Sequence, residues 1–405
     1  MRSPLRKSVV HKTKALPVRR LSSILSIVSA ELRDRFGLTK LFIGGASAPA
    51  LLDHLFSGSA LRMRDFDLIL AADRIVEQDL ARSIGEAIDC PELTFLPRYV
   101  YPRARSRGDH DLWHAGWGVI WDAHGVEVDL SIFHDEAALE LNGLMNVDRI
   151  LIPLPPEQSL NEIAAKMLIA GSAEAMVEAG LVHDPCGGYA GWVHRAPAIV
   201  AWQAIHASPI ESSIRIVRAC ANKLHLTHLH SELADPLRAA VVQGHARGDR
   251  FLRVRNLVKL LHDDRAGAEL EMLHAVAAFD HWLPEIHELL ENVGHGGMTV
   301  MFAQADRERR RDTAHHAAFA DAGEQGGDET SAIRLEAMLL AIAPAKRERV
   351  LEEVAVAEPT FASLVRNQLP FVERRAAKSG RSTTSRRGAK THALRAVNAP
   401  VDLAT

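Results

Sequence analysis

Residues 61–70 read LRMRDFDLIL, and the two aspartates in this apolar run, Asp65 and Asp67, decide how the first third of the chain is read. Side chains two apart on a strand project to one face, so Asp65 and Asp67 share a side while Phe66 and Leu68 take the other. Two like charges held that close repel. The repulsion raises a carboxylate pKa or draws in a cation, and a hard divalent ion such as Mg²⁺ prefers oxygen donors of this kind. Taken alone, D-x-D reads first as the wet acidic face of a half-buried strand, so its neighbours must decide.

Upstream, KLFIGG (residues 40–45) predicts a short buried strand ending in a glycine turn, and ASAPALLDHLF then opens a helix. At Gly44-Gly45 a backbone without Cβ atoms would approach phosphate oxygens near a helix N-terminus. Downstream, WGVIWDAHGVEVDLSIF predicts a hairpin turning near His124-Gly125, with Glu127 and Asp129 on one face of its second arm and Val126, Val128 and Leu130 on the other. A third carboxylate from a neighbouring strand would complete a cage for two Mg²⁺ ions, one acidifying an attacking hydroxyl, the other holding a triphosphate and its leaving pyrophosphate.

The rest of the chain divides by composition. Leu21, Ile24, Leu25, Val28 and Leu32 fall on one helical face, with Gly37 as the stop, and RIVEQDLARSIGEAI predicts a second amphipathic helix. Strands and helices mix up to about residue 150. Beyond IPLPPEQSL, read as a hinge, nearly every segment has helical periodicity, from NEIAAKMLIAG to SAIRLEAMLLAIA. The expected organisation is a basic arm (1–20), a mixed head (21–150), a helical neck (151–235), a helical body (236–372) and a basic, disordered tail (373–405). The expected fold class is thus α+β, a small mixed α/β head followed by an all-α neck and body.

Charge follows the same division. Residues 1–20 hold seven Lys/Arg and no acid, and residues 374–405 hold eight against Asp402, so a formal charge of −3 leaves −17 on residues 21–373. Such a chain is not a broadly basic nucleic-acid sleeve, and RNA contact is expected to be local or made by the ends. Cys90, Cys186 and Cys220 are too few and too scattered for a disulfide framework, and no apolar run approaches the roughly 20 residues that span a bilayer. The expected location is cytoplasmic, with no membrane partner.

Two further motifs give the order of the head a meaning. VHDPCGGYAGWVHRAP (182–197) and ESSIRIVRACANKLHL (211–226) follow the strand-GG-helix, the D-x-D strand and the GVEVDLSIF strand. In this order they resemble the class II CCA-adding tRNA nucleotidyltransferases and bacterial poly(A) polymerases of the DNA polymerase beta-like superfamily, with their D-P-x-G-G and E-D-x-x-R elements. The resemblance runs from about Lys40 to Leu226.

That resemblance implies a nucleotidyltransferase head and template-independent transfer of a nucleoside monophosphate from ATP or CTP to an RNA 3′ end, a tRNA CCA end or poly(A). Pyrophosphate would be released, with Mg²⁺ as cofactor and the NTP and RNA as partners. It makes Asp65 and Asp67 metal ligands, with Asp129 or Glu127 as the third carboxylate. Gly44, Gly45 and Ser47 would line the nucleotide site. Glu211 and Arg215 would present hydrogen bonds to the incoming base, Arg218 would reach a phosphate or pair with an acid, and Asn161 falls where the family has the asparagine of R-R-D-F-T-I-N-A.

The chain also departs from the pattern. Ala48 and Pro49 stand where the family has Arg and Asp after its glycines, Ser212 replaces the aspartate of E-D-x-x-R, and Pro155-Pro156-Glu157 replaces R-R-D. Metal chemistry is kept while nucleotide selection is not, which leaves two alternatives: a minimal nucleotidyltransferase acting on a protein or small molecule, or a catalytically inactive RNA-binding relative.

Four other stretches carry weaker signals. FLPRYVYPRARSR interleaves Tyr99 and Tyr101 with Arg98, Arg103, Arg105 and Arg107, either to grip phosphates and stack bases or as a solvated loop. Arg250, Arg253 and Lys259 form either an RNA contact or a charged outer helix face. His225, His228 and His230 lack a suitably spaced acidic or cysteine partner and are read as ordinary surface or core histidines; LLHDD is read as a helix end.

Overall fold

A computed structural model describes residues 14–15, 18–58, 61–63, 65–72, 78–87, 95–106, 112–123, 126–133, 143–309 and 329–378. The basic arm up to residue 13, most of the basic tail, the turn at His124-Gly125 and Arg107 lie outside these residues. The chain has an α+β fold and divides into two compact units, which part between Ala207 and Ser208.

Among the described residues the first unit carries a six-stranded sheet, besides a short pairing of Lys14–Ala15 with Arg62–Met63: β1 (Leu41–Ile43), β2 (Asp65–Ala71), β3 (Phe95–Ser106), β4 (Leu112–Ala123), β5 (Val126–Phe133) and β6 (Ile152–Leu154). Their order across the sheet is β3-β4-β5-β2-β1-β6. Only β2 and β5 run parallel; the other four pairings are antiparallel. β4 and β5 form the predicted hairpin, with Ala123 opposite Val126.

One face of the sheet carries the core. Phe66, Leu68 and Leu70 of β2 and Val128, Leu130 and Ile132 of β5 are fully buried together with Leu21, Ile24, Val28 and Leu32 of α1 (Val18–Phe36), the face that its spacing predicts. Gly37 ends this helix in the left-handed region (φ 68°). Helices α2 (Ser47–Ser57) and α3 (Gln78–Ala87) belong to the same unit, and the Trp121 indole N–H of β4 is satisfied by the Gly85 carbonyl at 3.1 Å. On the other face Ile69, Ala71, Phe133 and Leu151 make a smaller apolar cluster, and the remaining register positions of β2 and β5 on that side are the predicted acids and Ser131.

Two expectations fail here. FLPRYVYPRARSR is not a loop; residues 95–106 form the outermost strand β3, where Pro97 and Pro102 cost least because one side of an edge strand needs no ladder donor. IPL is not a hinge either, since β6 pairs with β1 at the opposite edge, Pro153 beside Phe42.

After the sheet come α4 (Leu160–Ala170), α5 (Ala173–Glu178), α6 (Gly188–Val193) and α7 (Trp202–Ala207). Ser159 and Glu162 close a capping box at the start of α4, which Gly171 ends with φ 73°. Among the described residues the second unit is helical: α8 (Pro209–Asn222), α9 (Ser231–Gly244), α10 (Arg250–His262), α11 (Ala266–Ala275), α12 (Pro284–Val293), α13 (Gly297–Arg309), α14 (Glu329–Ala341), α15 (Pro344–Ala355) and α16 (Pro359–Lys378).

Candidate active site

Residues paired across neighbouring strands point to the same face of a sheet. Asp67 is the partner of Asp129, and Asp65 of Glu127, so the four predicted acids occupy two successive rungs of adjacent strands. Neighbouring strands lie about 4.8 Å apart and successive same-face residues about 6.6 Å. One ion is thus within reach of two carboxylates at a single rung. Asp129 is buried and Asp67 half-buried, which narrows the approach from solvent. Asp65 is placed by its strand register.

The glycine turn is built around Asp67. The Asp67 amide donates to the Ser47 hydroxyl at 2.9 Å, Ala46 N–H donates to Asp67 Oδ2 at 3.3 Å, and Gly44 N–H donates to the Asp67 carbonyl at 3.1 Å. Gly45 holds φ 56°, and a Cβ there would come within 2.3 Å of Asp67 Oδ2. A Cβ at Gly44 would meet Ile69 Cδ1 at 2.4 Å. Both glycines therefore serve close approach to β2, one to its acid and one to its apolar cluster.

The same bonds limit the turn as a phosphate cradle. The amides of Ser47 and Ala48 donate to the Gly44 carbonyl, those of Gly44 and Ala46 are held by Asp67, and Pro49 has none, so within residues 44–49 the amide of Gly45 alone keeps its hydrogen free of these bonds. Ala48 and Pro49 are themselves buried, where a charged pair could not sit unpaired. Ser47, expected at the nucleotide, is 1% exposed and acts here as the hydroxyl that fixes the strand.

Asp184 of the D-P-C-G-G element accepts from the amides of Gly188 at 2.6 Å and Tyr189 at 3.0 Å, and so starts α6. The glycines let α6 lie on the chain at Asn146: a Cβ at Gly188 would stand 2.3 Å from the Asn146 carbonyl. Asn146, which carried no signal in the sequence, ties three segments, accepting from Val147 and Ala198 amides and donating to the Gly187 carbonyl at 3.3 Å. Asn161 is exposed on the first turn of α4. Pro156, in the place of a family arginine, is held through its carbonyl by Arg33 of α1 at 3.3 Å.

The remaining expected site residues lie on α8, in the second unit. Glu211 is 5% exposed, with Arg253 Nε 3.6 Å from Oε1 and Gly248 (φ 103°) packed on the carboxylate. Burial pushes its carboxyl up, and the Arg253 charge opposes the rise. Arg215, one turn on, is exposed, so the expected base-reading pair is split between inside and outside. Arg218 takes its acid-pairing alternative: Nε donates to Asp263 Oδ2 at 2.6 Å. Arg253 is likewise no surface contact, being buried over the Trp282 ring at 5.5 Å.

A hard divalent cation fits the head's donor set, which is carboxylate oxygen throughout, with Gly45 leaving the space that Asp67 uses. Asp67 and Asp129 would hold it, with Asp65 and Glu127 on the next rung.

No protein-family model matches the chain, and no curated protein does. Solved structures do. A tRNA nucleotidyltransferase determined with a primer tRNA and an incoming ATP analogue is 13% identical, with 91% of this chain and 90% of that one covered at a TM-score of 0.53. An apo CCA-adding enzyme gives 12% identity, coverage of 90% and 71%, and a TM-score of 0.52; a CCA-adding enzyme with ATP gives 12%, 96% and 79%, and 0.51. The fold of this chain is that of the CCA-adding tRNA nucleotidyltransferases, carried by a divergent sequence.

Proposed function

We propose that the chain is a template-independent nucleotidyltransferase that transfers a nucleoside monophosphate from ATP or CTP to the 3′ hydroxyl of an RNA, a tRNA end first among them, and releases pyrophosphate. The observation that carries this reading is the register that sets Asp67 level with Asp129 on parallel strands. Structural neighbours solved with tRNA, ATP or CTP support the choice of partners.

Ser47 and Ala46 hold the Asp67 backbone and side chain from the turn, so the carboxylate is positioned before substrate arrives. Asp129, buried in β5, supplies the second fixed oxygen donor. The Gly45 amide is the donor the turn can offer a phosphate oxygen. When bound, Mg²⁺ supplies Lewis acidity toward the attacking hydroxyl and neutralises the triphosphate. Glu211 buried against Arg253 and the apolar Ala48-Pro49 step favour relaxed or altered base selection over the strict reading that an intact Glu/Arg pair would give.

Extension of a tRNA lacking its terminal CCA, and of a generic RNA, with each labelled NTP in turn tests the reading. Label entering RNA supports it. Label on protein or a metabolite would replace it with the minimal-transferase alternative, and RNA binding without turnover would point to an inactive relative.

A further inference from the structure

We infer that the corner between α11 and α12 is a binding site for one divalent transition-metal ion of the Zn²⁺ class, held by His274, Asp280 and His287. Among the described residues these three form the group whose ligand atoms, one from each, lie within 4.8 Å of one another.

His274 sits in the last turn of α11 and His287 in the first turns of α12, and Asp280 comes from the connection between them. That connection passes through Ala277 at φ 61°, a left-handed conformation that costs a residue with a Cβ and that bends the chain back over the helix ends. The imidazole centroids are 4.9 Å apart and the rings tilted by 54°, so neither ring stacks on the other.

Three unpartnered atoms give the cluster its meaning. His274 Nδ1, Asp280 Oδ1 and His287 Nδ1 are each shielded from solvent without a hydrogen-bond partner. His287 Nδ1 and Asp280 Oδ1 are 3.0 Å apart, an ion-pair distance, yet they are not aligned as donor and acceptor. Lone pairs converging on a third point explain this where a hydrogen bond does not. In a tetrahedral site with bonds of about 2.0–2.1 Å, ligand atoms stand about 3.3 Å apart; the His287–Asp280 pair at 3.0 Å is near that spacing, and all three ligand atoms lie within 4.8 Å of one another.

The other nitrogen of His274 supports the same assignment. Its Nε2 lies 2.8 Å from Glu291 Oε1, one turn beyond His287 on α12. A carboxylate on the far nitrogen fixes the tautomer that leaves Nδ1 a lone pair and raises its basicity, as metal-ligating histidines generally require. Two imidazoles and one carboxylate suit Zn²⁺ and its first-row neighbours, and three protein ligands leave one position open. The site belongs to the helical unit and is separate from the carboxylate rungs in chemistry, since those offer oxygen alone.

Full-length protein stripped with a chelator and titrated with Zn²⁺ alone tests the site, by calorimetry and by the shift in Tm. One tight equivalent and a raised Tm are expected in the wild type, with visible ligand-field absorption when Co²⁺ is used instead. His287→Gln and Asp280→Asn should each weaken that equivalent by about 100-fold or more and remove the Tm rise, and Glu291→Gln should weaken it by about 10–100-fold. Circular dichroism of the metal-free variants separates lost binding from lost folding. Absence of a tight equivalent in the wild type overturns the assignment. So does a tight equivalent that survives both ligand variants, or one lost instead on changing His228 and His230.

Discussion

Asp67 and Asp129 are directly paired across the one parallel pair of strands in the sheet, with Phe66 and Val128 buried beneath them on the opposite face. This pairing turns two separate sequence signals into one site, and it makes the glycine turn a support for the acid at least as much as a phosphate loop.

The turn can be tested first. Gly45→Ala places a methyl group where Asp67 Oδ2 now lies and forces φ 56° on a residue with a Cβ. A stability loss of about 1–3 kcal/mol is expected, with transferase activity falling further than the Tm alone explains. Ser47→Ala should lose about 1 kcal/mol through the stranded Asp67 amide. Denaturant unfolding beside extension rates measures both.

Arg218 and Arg215 should separate cleanly. Arg218 holds buried Asp263, which also accepts from Asn222 at 3.1 Å, so Arg218→Ala should cost about 3–5 kcal/mol of stability as a broken buried pair. Exposed Arg215→Ala should leave the Tm within about 1 °C and change the ratio of ATP to CTP use. Steady-state kinetics with each NTP, set beside thermal melts, decides. An Arg218→Ala protein that melts normally and discriminates poorly would reverse the two roles.

Glu269 predicts a pH dependence. It is fully buried, and burial, reinforced by the Asp263 charge and opposed by Arg218, lifts its carboxyl from 4.5 to about 8. The folded state then binds a proton that the unfolded state releases, so stability is fullest below about pH 4.5 for this group and is lost as pH rises toward 8. Glu269→Gln keeps the Asn222 contact through its amide oxygen and should flatten that fall, melting about 3 °C or more above the wild type at pH 8.5. Melts across pH 5–9 give the answer.

Much of the fold was legible because period and burial agreed. Leu21, Ile24, Leu25, Val28 and Leu32 keep to one helical face and all five are buried; in Phe66-Asp67-Leu68 the two apolar residues are buried in the core while Asp67 between them is half-buried. Strand β3 was not legible, because Pro97, Pro102 and three arginines depress strand propensity and the edge position that tolerates them is a tertiary fact. Likewise Pro153 suggested a hinge until its place at a sheet edge was known. The surroundings of Glu211 and Arg215 were hidden for another reason. Glu211 and Arg215 have the i, i+4 spacing of neighbours, but the partner that claims Glu211 is Arg253, 42 positions away. His274, Asp280 and His287 form no local motif and meet only through the turn at Ala277.

The proposed transfer puts its chemistry on the rung formed by Asp67 and Asp129. Its most direct test is transfer of label from α-labelled ATP and CTP to a tRNA lacking CCA, comparing the wild type with Asp67→Asn and Asp129→Asn at matched circular dichroism. Mg²⁺-dependent extension by the wild type is expected, with a loss of about 1,000-fold or more in each variant, ~4 kcal/mol of transition-state stabilisation. Extension that persists in both variants, or that the wild type never shows with any NTP, would contradict it.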